Sequence, residues 1–312
     1  MANTTGSPIR VRKDAWRLAA DDPTLLWYAR AVDAMRQRPL SNTTSWEYQA
    51  AVHGTNADPS SFNADQQKAW GQCQHATWLF LPWHRMFLGI FEQIVAATVA
   101  KLGGPQDWAL PYWDYSDATN PNARKLPAAF TAAEFGVPEK NPLRVERDQG
   151  NDGAAFLDSK AVSLNSLKHK IFTGRSTPGG DSGFGGPSRG FNHSGDNDQG
   201  QLEMVPHDVI HSDIGGLMGD PDTAALDPIF WLHHANIDRL WEVWRHQGNS
   251  NPTDPSWLTG VKFFFHNAAG QPVTYSPQDV VDTIASPWHY QYDRTGETPA
   301  AAADKTTLAT GG

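Results

Sequence analysis

The chain of 312 residues contains a single cysteine, Cys73. No intrachain disulfide can form, which fits a reducing compartment, and a thiolate-rich zinc or iron–sulfur site is excluded. Any metal site must be built from His, Asp or Glu. Basic charge is also scarce, with 25 Lys and Arg against 34 Asp and Glu and a net charge of −9. That argues against an electrostatic nucleic-acid binder and a polybasic membrane-surface protein. No apolar run reaches the roughly 18 residues that a membrane span needs. The N-terminal Met-Ala-Asn-Thr-Thr-Gly is not apolar, so no secretory signal is expected and a cytoplasmic location is the default.

What is present is a core-forming chain, with 39% hydrophobic residues, 13 Trp and 22 Pro. Such aromatic content belongs to a packed, loop-rich globule. Helical signals cluster in a few places. Asp22-Pro23 caps a helix carrying Leu25, Leu26, Tyr28, Ala29 and Val32 at helical spacing. Thr44-Ser45-Trp46-Glu47 reads as a capping box opening a helix that ends at His53-Gly54. Pro82 starts a long helix to about Lys101, closed by Gly103-Gly104. Residues 159–172 form a weaker candidate. Pro206 precedes a short helix closed by Gly215-Gly216, and Asp227-Pro228 caps one through about Gln247. Short strand-like runs occur at Val261 to Phe265 and Pro272 to Tyr275. Residues 173–200 are rich in Gly, Ser and Pro, and a loop that long is often functional. The expected organisation is one mainly α domain over residues 1–293, with a short flexible tail at 294–312.

Twelve histidines are present, and six fall at or beside helix ends in two groups. His53, His75 and His84 are spaced 22 and 9 apart; His207, His211 and His234 are spaced 4 and 23 apart. His207 and His211, at i and i+4, share one helix face, which lets two imidazoles converge on one ion. Alone, that spacing is more often plain helix surface. Here the helix lies between the apolar pairs Met204-Val205 and Val209-Ile210. Imidazole suits copper, zinc, iron and nickel and suits magnesium and calcium poorly. Six histidines without thiolate fit two ions, each with three ligands and an open position. Facing helices are a recurrent housing for such a pair. A helical scaffold binding adventitious zinc is the bland alternative.

Two stretches are longer and more specific. The first is His75-Ala-Thr-Trp-Leu-Phe-Leu-Pro-Trp-His84-Arg85, continuing to Glu92. The second is Asp227-Pro-Ile-Phe-Trp-Leu-His233-His234-Ala-Asn-Ile-Asp238. They resemble the two copper-site signatures of the tyrosinase and polyphenol oxidase family, and the resemblance runs from about Arg10 to Tyr292. It implies a four-helix bundle housing a dinuclear copper site, with long loops and a few short strands. It also implies that His53, His75 and His84 bind one copper and His207, His211 and His234 the other, with His233 a neighbour. Dioxygen would be the co-substrate.

Other matches carry further roles by the same resemblance. Cys73-Gln-His75 is similar to a family segment in which sulfur and imidazole are joined by a thioether. Glu203-Met-Val-Pro-His207 resembles a segment whose glutamate holds a water that takes the phenol proton. The alternative for Glu203 is a first-turn glutamate offsetting the helix dipole. Asp208 stands where many tyrosinases have asparagine, so it could accept a proton itself or repel an incoming phenolate. That leaves hydroxylation of monophenols more open than oxidation of diphenols. Pro221, thirteen residues before His234, falls at a position that often gates one copper. Ser212, Asp213, Asp220 and Asp222 add polar and acidic groups, so cationic phenolic amines are expected to outperform carboxylated phenols. Glu92 and Asp238 are read as orienting ligands or neighbouring groups. Arg12 (or Arg10) and Tyr290-Gln-Tyr292 resemble a pair that ties the termini together by a cation–π contact. His169, His193, His246, His266 and His289 match no ligand position and read as surface or structural.

The expected function is oxidation of mono- or o-diphenols to o-quinones by dioxygen, in a short core without a C-terminal shielding domain. An o-aminophenol oxidase would use the same six histidines, and a hemocyanin-like dioxygen carrier is the rival from another class. A small phenolic substrate is the expected partner. A copper-delivery protein is left open.

Overall fold

The computed structural model describes residues 9–174, 181–193, 198–285 and 287–296. The end of the expected C-terminal tail and parts of the 173–200 loop lie outside those residues. The architecture is mainly helical. Strand β1 (Arg10–Arg12) leads into α1 (Thr24–Arg36), α2 (Trp46–His53), the short α3 (Ala64–Ala69) and the long α4 (Phe80–Lys101). After about a hundred residues of loop and isolated turns come α5 (Val209–Ile214), α6 (Pro228–His246) and the single turn α7 (Pro255–Leu258). Strands β2 (Phe263–His266), β3 (Pro272–Tyr275) and β4 (Tyr290–Tyr292) close the chain. Among the described residues no helix is long and apolar enough to cross a membrane.

Helices α1, α2, α4 and α6 form the bundle. α4 and α6 pack against each other, α1 lies along α4, and α2 lies beside α1. Nearly every face of α4 and α6 is buried, as expected for helices at the centre of a core rather than at its surface. The close approaches are built into the sequence. Gly89 lies in the middle of α4, where glycine is unfavourable relative to alanine. A Cβ there would collide with the indole ring of Trp288, so the glycine admits that ring.

The caps explain the helix starts. Asp227 Oδ1 accepts the Ile229 amide at 3.0 Å, and Pro228 occupies the first turn of α6, as read from the sequence. Ser45 caps α2 by accepting from Tyr48 N at 3.1 Å; Glu47 takes no part, so the expected capping box is a simple cap. A full capping box sits instead on α3, between Asn63 and Gln66, a helix the periodicity did not indicate. α4 starts at Phe80, two residues earlier than expected.

One expected helix is absent. Residues 159–172 hold only a 3-10 turn at Asn165–Lys168. Tertiary contacts override the local periodicity: His169 O accepts from Trp244 Nε1 at 2.5 Å, and Phe172 packs edge-on against Trp244 and Trp257. The chain there is held extended across α6 instead of coiling.

The N- and C-terminal segments join as a parallel pair, with Arg10 opposite Tyr290 and Arg12 opposite Tyr292. The guanidinium of Arg12 stacks 3.6 Å over the Tyr290 ring, so the cation–π contact involves Arg12. β2 and β3 form a separate antiparallel hairpin.

Candidate metal centre

Each histidine of the two groups is delivered by a different local device. His53 is the last residue of α2. Its Nδ1 lies 2.8 Å from the carbonyl of Pro221, which arrives from the loop before α6. Gly54 makes that approach feasible, since a Cβ there would stand 2.7 Å from Pro221 O and 2.8 Å from an Asp222 carboxylate oxygen. His84 lies one turn into α4, and its Nδ1 reaches the Phe80 carbonyl at 2.8 Å. His75 lies in the loop before α4, with Nδ1 3.4 Å from the His193 carbonyl.

His207 and His211 follow a break in the chain. Val205 is extended (φ −145°, ψ 120°) ahead of Pro206, as the residue before a proline prefers. A new helical run begins there and carries the two imidazoles on successive turns. His207 Nδ1 lies 2.7 Å from Asp208 Oδ1, and His211 Nδ1 lies 2.8 Å from the Met218 carbonyl. His234 sits within α6, where its Nε2 faces His211 Nε2 at 3.2 Å.

A shared arrangement emerges. In His53, His75, His84, His207 and His211, Nδ1 meets an oxygen acceptor. That fixes Nδ1 as the protonated nitrogen and leaves Nε2 with a lone pair, the arrangement of a metal-ligating imidazole. Nε2 of His53, His84 and His207 is buried and has no hydrogen-bond partner, which is costly unless something else meets it. Burial, reinforced by neighbouring imidazoles, depresses the ring pKa values, to about 4 for His75 and about 3 for His211. His53, His84 and His234 are pushed well below their usual value for the same reasons. Neutral imidazole is the ligating form.

The two groups interleave. His84 stacks on His234 with centroids 4.5 Å apart and 13° between planes, and His75 lies 6.0 Å from His207. Ligand atoms of His53, His84 and His234 fall within 4.8 Å of one another, as do those of His207, His211, His233 and His234. Phe80 and Phe230 wall the rings, with Phe80 4.7 Å from His207 and Phe230 4.1 Å from His234. The donor set is made of imidazole nitrogens alone, three of them with buried and unpartnered Nε2 atoms, which fits a pair of borderline-soft ions such as copper.

A cavity of about 830 Å³ opens onto four of these rings, those of His53, His75, His207 and His211. Ser212, Pro221 and the carboxylates of Asp208, Asp220 and Asp222 line its outer part. Asp213, expected beside them, is not among the lining residues. Asp208 has both oxygens engaged, Oδ1 with His207 and Oδ2 with Gln199 Nε2 at 2.7 Å. Burial works to raise its pKa, but the bonds from His207 and Gln199 outweigh that and hold the carboxyl below its usual value. Glu203 is fully buried and is not among the residues that line the cavity. Its Oε1 accepts the Ala76 amide at 2.7 Å, beside His75, and the Gly200 amide and the Gln199 side chain also bond to the carboxylate. Burial, aided by the Asp208 charge, raises its pKa well above that of an ordinary glutamate.

Glu92 and Asp238 touch neighbouring groups, one of the two roles expected of them. Asp238 accepts from Arg85 Nε at 2.5 Å, Arg12 Nη1 at 3.2 Å and Tyr290 OH at 2.7 Å, while Glu92 pairs with Arg12. His193, read as surface or structural, enters the cavity wall instead. Its Nδ1 lies 3.1 Å from Cys73 Sγ and its Nε2 3.9 Å from Asp222, while Cys73 Sγ is 3.5 Å from His75 Nδ1. No spacing rule marks His193; only its place in the long Gly-rich loop could have drawn notice. His266, by contrast, is structural, bonded to Tyr48 OH at 3.1 Å.

A helical bundle with interleaved imidazoles under an open cavity is the arrangement of a protein that could hold a pair of metal ions on histidine. Comparison with known proteins narrows the class. The family described as the common central domain of tyrosinase matches residues 43–177 and 137–247, and the chain belongs to that family. A tyrosinase from Hahella sp. (strain CCB-MM4), HcTyr1, is 43% identical over 298 residues, covering 88% of this chain and 62% of the relative. A chloroplastic polyphenol oxidase of Vitis vinifera is 31% identical over 309 residues, covering 92% of this chain and 48% of the relative. The chain thus spans about half to three-fifths of these relatives. The crystal structure of Grenache (Vitis vinifera) polyphenol oxidase superposes with a TM-score of 0.64 at 27% identity, covering 94% of this chain and 87% of that one. A latent aurone synthase matches the fold with a TM-score of 0.69 at 22% identity, covering 93% and 58%.

Proposed function

We propose that the protein is a copper phenol oxidase that converts monophenols, o-diphenols or both into o-quinones with dioxygen as co-substrate. His53, His75 and His84 would hold one copper and His207, His211 and His234 the other. When bound, the pair supplies the two electrons that dioxygen takes up together. The observation that carries the reading is the meeting of both triads in one site, with buried, unpartnered Nε2 atoms on His53, His84 and His207. Membership in the tyrosinase family supports it.

The remaining residues prepare the substrate. A phenol of pKa about 10 is mostly neutral at pH 7, so reaching the metal as phenolate requires a base. Glu203 is suited to that task, because burial strengthens its carboxylate as a proton acceptor and its bond to the Ala76 amide places it beside His75. Asp208, with both oxygens engaged, orients the His207 ring and contributes negative charge to the cavity. With Asp220 and Asp222 it makes the mouth acidic, which favours cationic phenolic amines over carboxylated phenols. Pro221 acts less as a gate than as an anchor, through its carbonyl on His53.

A thioether between Cys73 and His75 belongs to the same reading. An S–C bond forms, the thiol and a ring carbon each lose a hydrogen, and the two electrons pass to dioxygen. Intact mass should fall by two hydrogen atoms on copper loading in air. A copper-delivery partner and a cytoplasmic location are likewise proposals, resting on sequence alone.

A cavity that reaches four of the rings favours an enzyme over a dioxygen carrier, whose metal pair must be shielded from phenols. An o-aminophenol oxidase remains the alternative within the enzyme class. The test is copper-loaded protein with 4-methylcatechol and, separately, 2-aminophenol. Quinone absorbance that depends on both copper and dioxygen is expected with the catechol. Reversible dioxygen uptake without quinone would overturn the assignment.

A further inference from the structure

One stretch of chain holds a ring from each triad. Between the end of α5 at Ile214 and the cap of α6 at Asp227 the chain loops outward, and its part from Met218 to Asp222 forms one wall of the cavity. The Met218 carbonyl meets His211 Nδ1 at 2.8 Å, and further along the Pro221 carbonyl meets His53 Nδ1 at 2.8 Å. His53 ends α2 and His211 lies in α5, so the two rings come from different helices and different triads. Both point correctly only when this one loop keeps one shape.

The side chain of Thr223 sits across the loop. Its hydroxyl lies 2.8 Å from the Leu217 carbonyl and 3.3 Å from that of Asp220. A hydroxyl has a single proton to donate, so the nearer carbonyl takes the larger share. Leu217 and Asp220 are the residues just before Met218 and Pro221, whose carbonyls orient the rings. The backbone supports the Asp220 side as well, since the amides of Thr223 and Ala224 donate to Asp220 O at 3.0 and 2.8 Å. Thr223 is half-buried and is not among the residues that line the cavity. A carbonyl orients an imidazole only as firmly as its own loop is held, and a loop that opens as a unit releases both rings in one motion.

We propose that Thr223 is a positioning residue for both metals of the pair: its hydroxyl closes the loop, the loop holds the Met218 and Pro221 carbonyls, and they keep one ring of each triad aimed at its ion. This rests on the copper-pair reading above, and the test separates the two because its first arm needs no metal. Metal-free protein labelled with 15N in its histidine rings is followed by nuclear magnetic resonance, and exchange of the Nδ1 protons into deuterated solvent is timed. In wild type the His53 and His211 protons should exchange at rates within a factor of about three, since one opening frees both. In Thr223→Val, which keeps the shape and removes the hydroxyl, both should exchange about five-fold faster or more, the scale of one lost hydrogen bond. Thr223→Ser should restore the wild-type rates. The Nδ1 proton of His84, held by Phe80 within α4, should not change. A faster rate at only one of the two rings, or an equal increase at His84, overturns the proposal.

The second arm uses copper-loaded protein. Thr223→Val should give up both coppers at a chelator concentration about ten-fold lower than wild type, the scale on which loss of an outer hydrogen-bonding partner weakens a metal site, and Thr223→Ser should match wild type. Loss of only one copper at the lower concentration, or retention equal to wild type, overturns the proposal. A wild-type chain that binds no pair of coppers overturns the copper reading and the role toward metals with it, while the matched exchange of the two rings would still show the clamp. Unequal exchange of those rings in wild type overturns the proposal even if Thr223→Val fails to fold.

Discussion

The ring of His84, from α4, stacks on that of His234, from α6, with centroids 4.5 Å apart and planes only 13° from parallel. These residues belong to different histidine groups in the sequence, 150 positions apart. Their contact turns two separate triads into one site. If both ions must act on one dioxygen, removing a ligand from either triad should abolish activity even though the other triad stays whole. His84→Asn and His234→Asn should each lose one copper per chain by elemental analysis and each fall below detection in quinone formation. A variant with half the copper and half the activity would indicate independent sites.

The acidic mouth should act on charged substrates alone. At separations of 6–8 Å and an effective dielectric constant near 20, a carboxylate and an ammonium attract by about 2 kcal/mol before salt screening. In Asp220→Asn/Asp222→Asn the KM for tyramine should therefore rise roughly three- to tenfold, that for tyrosine should fall, and that for 4-methylcatechol should stay put. Steady-state kinetics at low and high salt would check this. Equal changes for all three would mean that the loop was disturbed.

The site is held from behind by buried ion pairs. Asp238 receives Arg12, Arg85, Tyr290 and Tyr292, and Arg85 also pairs with Glu242 at 2.7 Å. Burial works to raise the Asp238 pKa, but the two arginines outweigh it and hold the carboxyl below its usual value. Asp238→Asn leaves two buried guanidiniums short of a counter-charge and should destabilise the fold by about 3–5 kcal/mol. Denaturant unfolding at pH 7 measures it. Since Arg85 follows His84 on α4, copper retention should weaken as well.

Asp14 behaves in the opposite sense. Burial is the main cause that pushes its carboxyl up to about 6, and its Oδ2 lacks a hydrogen bond. The folded chain therefore holds a proton there that the unfolded chain has released above its ordinary value near 3.8. Between these values folding binds the proton, so this group's contribution falls as pH rises from about 4 to about 6 and stays low above that. Asp14→Asn keeps an oxygen for the amides of Trp16 and Asp114 and removes the charge. The variant should gain stability over wild type above pH 6 and match it near pH 4, as read by melting temperature across that range. A constant difference at every pH would show that the charge is irrelevant.

Much of this was legible because it is local. Asp227-Pro228 capped a helix and the structure uses that cap; the His207 and His211 spacing required only one helical turn to align. The two long signatures contain His75, His84 and His234, the remaining three candidates came from helix ends and spacing, and the fold brings the six rings together. What sequence could not show is non-local. The Arg12–Tyr290 pairing was read only through a family resemblance, and the parallel strand pair that carries it was not read, because three-residue strands have no periodicity of their own. The apolar residues of 159–172 have helical spacing, yet their packing on Trp244 wins over it. His193 reaches the cavity only because the Gly-rich loop folds back onto Cys73.

The most direct test is to load the protein with copper in air and compare total metal with the metal seen by electron paramagnetic resonance. Two cupric ions close enough to share one oxygen molecule couple their spins and become silent. The expected result is two coppers per chain by elemental analysis with only a small fraction visible in the resonance. Two coppers per chain that are both fully visible, or a single copper, would contradict a shared site.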